Sequence, residues 1–247
     1  MYAYKTLTPT LYGGLGNQLF QLAAAERIAK QTQRTLCIDR LQNSSVHSNI
    51  SYFETIFKSY KKYVSNVPSI KVYEENWQQH SSAPHLKLDG YFQNWRYISD
   101  SFRSTLTFSD ECLSRHPNIN QSVFIHIRGG DYVNHPIHDI KLDSYYQKAI
   151  SMFPENTRFS VFTNDVPYAK SKPFLQSVSH SFVEENEIDS LFLMSKCLGG
   201  ICANSSFSWW GAFLNPNRRL LFPNKWTTDT AYDTDRYKFP NSIFLEY

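Results

Sequence analysis

Four short segments of this chain gather residue types that can hold or move charge. The richest is Phe124-Ile125-His126-Ile127-Arg128-Gly129-Gly130-Asp131-Tyr132. A strand there delivers His126 and Arg128 to one face by its period of two. A guanidinium can grip a phosphate through two parallel hydrogen bonds and keeps its charge at any working pH. His126, Arg128 and Asp131 are therefore the candidates for chemistry. Arg128 and Asp131 could equally form a structural ion pair. Gly13-Gly14-Leu15-Gly16-Asn17-Gln18 is a second segment. Glycines between a strand and a helix let a ligand approach the backbone, and the helix start offers free N–H groups. Gly14, Gly16, Asn17 and Gln18 are candidate binding residues, with a ligand-free tight turn as the alternative. The segment is not the dinucleotide fingerprint, because Leu19 stands where the third glycine would be.

Thr163-Asn164-Asp165 is the third segment. Asn164 and Asp165 can cap a helix, or read a purine edge, since a carboxylate accepts two donors from guanine. The fourth is Ala203-Asn204-Ser205-Ser206-Phe207-Ser208-Trp209-Trp210-Gly211. One of Asn204, Ser205, Ser206 and Ser208 serves as a helix cap. The surplus hydroxyls, beside Phe207 and the helix N–H groups, make an anion site. Trp209 and Trp210 suit core packing. Two other clusters are weaker. Asp233-Thr234-Asp235 has a metal-holding D-x-D form but sits in a polar tail, so it reads as solvated surface. His135, His138 and Asp139 are interrupted by Pro136, which argues for a loop and against a metal site.

The elements that must position these segments follow from patterning. The sequence predicts a strand over 7–12, a helix over 17–30 and a strand over 35–38. Leu19, Phe20, Leu22, Ala23, Ala24 and Ile28 are too dense for a surface helix and suit a buried one. Residues 42–84 are poorly patterned, with one short helix over 52–57. A strand over 85–89 and a mixed helical stretch over 95–106 follow. After a connection at 109–121, strands over 122–127, 159–163, 181–184, 200–203 and 219–222 alternate with helices over 143–153, 166–175, 188–197 and 207–214. Such alternation implies a parallel sheet with helices on both faces, and ligands beyond the carboxyl ends of its strands.

Composition narrows the classes. The chain has 247 residues, enough for one or two domains, and a net charge of +3 with scattered Lys and Arg. That is short of a nucleic-acid-binding footprint. No apolar run approaches a membrane span, and the first ten residues lack a signal-peptide core. Cys37, Cys112, Cys197 and Cys202 read as buried reduced thiols of a cytoplasmic protein. The N-x-Ser sequons at Asn43, Asn49, Asn120 and Asn204 read as incidental. Aromatics are abundant, with 18 Phe, 16 Tyr and 5 Trp. They can fill a core or line a site for flat or sugar-like ligands.

Taken together, the motifs resemble the α-1,2-fucosyltransferase family. The resemblance rests on the run from Gly13 to Gln21, on Gly90-Tyr91-Phe92-Gln93, and on His126-Ile127-Arg128 through Gly130-Asp131-Tyr132. Further along it rests on Asp189, Met194-Ser195 and Cys197, then on Ala203 through Ala212 and Leu214-Asn215. The order is the family's, from residue 13 to about 226. The resemblance implies an α/β, GT-B-like fold, with two Rossmann-like domains facing across a cleft and a reduced N-terminal half. Residues 1–118 would form the acceptor side, with the tail 225–247 packing back on it, and 119–224 the GDP-fucose side. It implies inverting transfer of L-fucose from GDP-fucose to the 2-hydroxyl of a galactose-terminated glycan, with no metal or other cofactor. Arg128 would hold the β-phosphate, Ser205 to Ser208 would face the diphosphate, and Asn164-Asp165 would face guanine. This chain departs from the family at Gly129, usually a second Arg, at Thr163-Asn164-Asp165, often Ser-Asp-Asp, and at Gly199, often His. A glycan- or nucleotide-binding protein without catalysis is the alternative on the same fold. An NTPase is disfavoured because no G-x-x-x-x-G-K-[ST] is present.

Overall fold

Residues 5–39, 50–65 and 69–247 are described by a computed structural model. The chain divides into two compact units, Met1–Phe108 and Ser109–Tyr247. In the first, β1 (Thr6–Pro9) leads into α1 (Leu15–Gln31) and then β2 (Thr35–Leu36). After two 3-10 segments come β3 (Ile70–Tyr73), β4 (His85–Asp89) and the short α2 (Phe102–Thr105). The four strands lie in the order β2-β1-β4-β3, all parallel. α1 is buried over most of its length, as its dense apolar run requires, and Leu19, Phe20, Leu22, Ala23, Ala24 and Ile28 are fully enclosed. A 3-10 segment, Glu74–His80, replaces the crossover helix between β3 and β4. This unit is thus the reduced Rossmann-like half that the resemblance implies. Its strand β3 is not apparent in the sequence, because only Val72 of its four residues is buried.

The second unit begins with α3 (Cys112–Arg115), followed by β5 (Val123–Ile127), α4 (Asp143–Ser151) and β6 (Phe159–Thr163). Next come α5 (Val166–Lys170), α6 (Pro173–Gln176), β7 (His180–Phe182), α7 (Glu187–Lys196), β8 (Gly199–Ile201), α8 (Ser206–Phe213), β9 (Arg219–Pro223) and β10 (Ser242–Leu245). The single helix expected over 166–175 is two helices. Pro173 has no N–H to continue the ladder and holds Lys172 extended. The six strands run parallel in the order β10-β9-β8-β5-β6-β7. Read from β7, this is the doubly wound order 3-2-1-4-5-6. All five residues of β5 are buried, as a central parallel strand demands.

The units divide between Phe108 and Ser109, so the stretch 109–118, expected with the first half, falls in the second unit. Arg115 forks onto Glu185 at 2.7 and 2.8 Å and reaches Asp189 at 3.2 Å, while His116 Nε2 lies 2.9 Å from Glu185. The tail 225–247 falls within the second unit as well. β10 pairs with β9, Trp226 stacks on Tyr237 at 3.8 Å, and Trp209 Nε1 donates to the Tyr237 carbonyl at 2.8 Å. Phe239 of the tail packs edge-on against Trp209 and Phe213 of α8, each at 5.3 Å.

All four cysteines are free and buried. Asn204 is 2% exposed, which suits the incidental reading of its sequon. Asn43 and Asn49 lie outside the described residues. Among the described residues, no helix is long and apolar enough to cross a membrane.

Candidate active site

Because every strand of the second sheet is parallel, the loops after β5, β6 and β8 leave from the same end. The chain turns from β5 toward β6 on one side and later returns to place β8 on the other. The crevice at such a reversal is where doubly wound sheets take their ligands. Its two rims are the loops beginning at Arg128 and at Cys202.

Arg128 emerges from β5 with its side chain 18% exposed. One terminal nitrogen donates to Asp131 Oδ1 at 2.7 Å, and the guanidinium lies 5.0 Å from the centroid of the Tyr132 ring. Its Nε is buried and has no hydrogen-bond partner. A cation left with an unused donor in a partly dry place costs free energy unless a ligand completes it. A small cavity opens beside it, lined in part by Tyr132, His138, Tyr146, Tyr168, Lys172 and Asn204.

His126, one strand period earlier, is 3% exposed, and its ring lies 5.7 Å from Phe207. Burial, with the Arg128 cation adding to it, pulls its imidazole down to about 3. His126 is therefore neutral at physiological pH. Its Nδ1 has no partner. Such a group can hydrogen-bond a ligand but is a poor proton acceptor.

The loop after β6 holds the loop after β5. Asn164 Oδ1 accepts from Gly129 N at 2.9 Å, and its Nδ2 donates to Gly129 O at 3.3 Å. Asp165 Oδ2 accepts from Gly130 N at 3.0 Å, while Oδ1 accepts from Tyr168 N at 3.0 Å and so caps α5. This clasp explains the glycine where the family usually has a second Arg. A Cβ on Gly129 would come within 2.6 Å of Asp165 Cβ and 2.8 Å of the Tyr168 ring.

On the other rim, Asn204 Nδ2 donates to the carbonyls of His138 and Trp226 at 3.0 and 2.9 Å. Ser205 caps α8 by accepting from Phe207 N, and the buried Ser208 hydroxyl turns toward the Ala203 and Ser205 carbonyls. Ser206 and Phe207 are part-exposed at the helix start. The positive end of α8 thus lies on the rim opposite Arg128. Tyr146, marked in the sequence by nothing but its place on the buried face of α4, donates its hydroxyl to the His126 carbonyl at 2.7 Å. The His138 ring stacks on Tyr132 at 4.7 Å, a contact that no spacing signals.

Gly14, Gly16, Asn17 and Gln18 belong to the first unit. Gly13 takes a φ of +77°, and Gly14 is the N-cap of α1 with no side-chain cap bond. Asn17 Oδ1 accepts from Gln93 Nε2 at 2.7 Å, and Gln18 Nε2 donates to Gly13 O at 2.9 Å. Both amides therefore brace the turn. Among the described residues, no three His, Cys, Asp or Glu side chains are grouped to hold a metal ion. Asp233 instead accepts from Asp235 N, and Asp235 pairs with Lys238.

Comparison with known proteins agrees with this architecture. An O-antigen biosynthesis glycosyltransferase, WbnK of Escherichia coli, is 29% identical over 87% of this chain and 93% of its own length. An α-1,2-colitosyltransferase of the same species is 29% identical, covering 83% of this chain and 86% of the relative. The fucosyltransferase NodZ from Bradyrhizobium shares the fold at a TM-score of 0.56 and 15% identity, over 86% of this chain and 94% of NodZ. The family model for glycosyl transferase family 11 matches residues 10–245. The chain is a glycosyltransferase and belongs to glycosyl transferase family 11.

Proposed function

We propose that the protein transfers L-fucose from GDP-fucose to the 2-hydroxyl of a galactose in a glycan, with inversion at the anomeric carbon. The observation that carries this reading is Arg128, with its unused Nε, at the strand-order reversal opposite the start of α8. The acceptor oxygen attacks the anomeric carbon as the bond to the β-phosphate breaks, and GDP leaves with the electron pair. Arg128 and the α8 amides around Ser205, Ser206, Phe207 and Ser208 meet the charge that builds on it. Stabilisation of this kind is usually the largest catalytic contribution. Asn164 and Asp165 frame the phosphate loop, and the Asp165 carboxylate keeps lone pairs for a guanine edge. His126 is a neutral hydrogen-bonding group toward the nucleotide. Asp131 orients Arg128 and is the carboxylate to which we assign the acceptor proton. Gly14, Gly16, Asn17 and Gln18, in the first unit, shape the acceptor side.

Arg128→Ala is expected to lower turnover by about 10²–10³, the cost of one such donor, with the fold intact by circular dichroism. Near-normal transfer by a folded R128A would overturn the assignment. Thermal unfolding with GDP, ATP and NAD should show stabilisation by GDP alone, unchanged by EDTA. The colitosyltransferase relative makes colitose the second donor sugar to assay, and linkage analysis of the product decides the acceptor position.

A further inference from the structure

The first unit has a strand-order reversal of its own. β1 carries β2 on one side and β4 on the other. The loops leaving β1 and β4 therefore open on one crevice. Those loops bear Tyr12 and Tyr91, whose ring centroids lie 5.1 Å apart with the planes inclined at 53°. Tyr91 is 47% exposed, so much of its ring is open to a ligand.

The pair is held by design of the backbone beneath it. Gln21, 1% exposed on α1, accepts from Tyr12 N at 3.0 Å through Oε1 and donates to Gly90 O at 3.3 Å through Nε2. One buried amide thus fixes the chain beside both rings. The next residue, Phe92, sits at a φ of +51°, a region that bulky side chains rarely adopt. Glu74 Oε2 holds it there by accepting from Phe92 N at 2.9 Å. Phe92 turns inward, 1% exposed and 5.5 Å from the Tyr97 ring, while its neighbour Tyr91 stays outside. Backbone strain of this kind concentrates at ligand sites. Asn17, in the first turn of α1, accepts from Gln93 on the loop after β4.

We propose that Tyr12 and Tyr91 form the subsite for the acceptor's sugar ring, with the exposed Tyr91 face against the apolar C–H face of a neutral pyranose. This rests on the transferase reading above. Aromatic side chains suit such a ligand because they offer a broad apolar surface with a hydroxyl at the edge. Burial pushes the Tyr12 phenol up to about 12, with Tyr91, Asp89 and Glu74 adding to it. Asp89 is paired with Lys71 at 2.6 Å, so it is the Glu74 carboxylate, beside Phe92 N, that disfavours a uronate or another anionic sugar here.

The test uses the full chain with GDP-fucose and a neutral galactoside. Tyr91→Ala should raise the acceptor KM about tenfold, leave the GDP-induced thermal shift unchanged and melt with wild type. Tyr91→Trp should restore most of the acceptor affinity. A Y91A acceptor KM equal to wild type overturns the subsite while leaving the transferase reading standing. Saturation-transfer NMR with methyl β-galactoside in the presence of GDP reads the subsite without turnover. Galactoside binding that Y91A abolishes supports the subsite even where wild type transfers no sugar, a result that would remove only the transferase reading. Binding equal in wild type and Y91A, or a galacturonate bound as well as galactose, would overturn the subsite.

Discussion

His126 couples the site to folding through its proton. Burial holds its folded value near 3, whereas the unfolded imidazole titrates near 6.5. Between those values the unfolded chain binds a proton that the folded chain excludes, so stability rises with pH across the window. The full contribution is present above about 6.5 and is lost as pH falls toward 3. Urea unfolding at pH 7 and pH 5 should show wild type losing about 2 kcal/mol more than His126→Gln over that interval. Equal losses would mean that the imidazole is not held neutral. Gly129 poses a steric question at the same scale. A methyl group there meets Asp165 and Tyr168 well inside van der Waals contact. Gly129→Ala should cost about 1–3 kcal/mol in thermal unfolding. Gly129→Arg, the residue usual in the family, should be worse unless Asp165 is shortened too. A Gly129→Arg variant that melts like wild type would show that the clasp is dispensable.

At the scale of elements, Arg218 sets where α7 and α8 end. Its guanidinium donates to the carbonyls of Met194, Cys197 and Gly211 at 2.7, 2.5 and 2.8 Å, and its Nε reaches Asn215 O at 2.9 Å. The Met194 and Gly211 carbonyls lie in the last turns of α7 and α8, where intrahelical donors run out. Burial lowers Arg218 to about 10, so it remains charged at neutral pH. Arg218→Met removes charged hydrogen bonds typically worth about 1.5–3 kcal/mol each, and should lower stability by about 3 kcal/mol or more in chemical unfolding. A loss below about 1 kcal/mol would reduce Arg218 to a surface decoration. What the sequence made legible follows from how strongly each element repeats. The buried runs of α1, β5 and β6 are long and unbroken, and their ranges agree with the pattern within two residues at most ends. β3 and β10 were missed because edge strands bury few of their side chains, and Ile70 and Ile243 are exposed. His126, Arg128 and Asp131 could be grouped from the sequence because they adjoin the central strand. The hydrogen bonds of Asn164 and Asn204 could not be read there, because each amide bonds to a backbone distant in sequence.

At the scale of the molecule, the tail is part of the second sheet. β10 covers the edge of β9, and Lys148 Nζ donates to the Glu246 carbonyl near the chain end. A chain ending at Asn241 leaves β9 as an open edge, a template for pairing with other chains. It should melt lower and sediment as aggregates at concentrations where the full chain does not. Unchanged melting and a single sedimenting species would show that β10 adds nothing. The thiols offer a view of how each unit opens. Cys37 lies in the first unit and is 4% exposed, whereas Cys112, Cys197 and Cys202 lie in the second and are 2% exposed or less. None can meet a maleimide in the native state. Each therefore acts as a silent clock that starts only when its own surroundings open. Mass spectrometry of the labelled peptides, read against time, separates the opening rate of one unit from that of the other without adding a single probe to the chain.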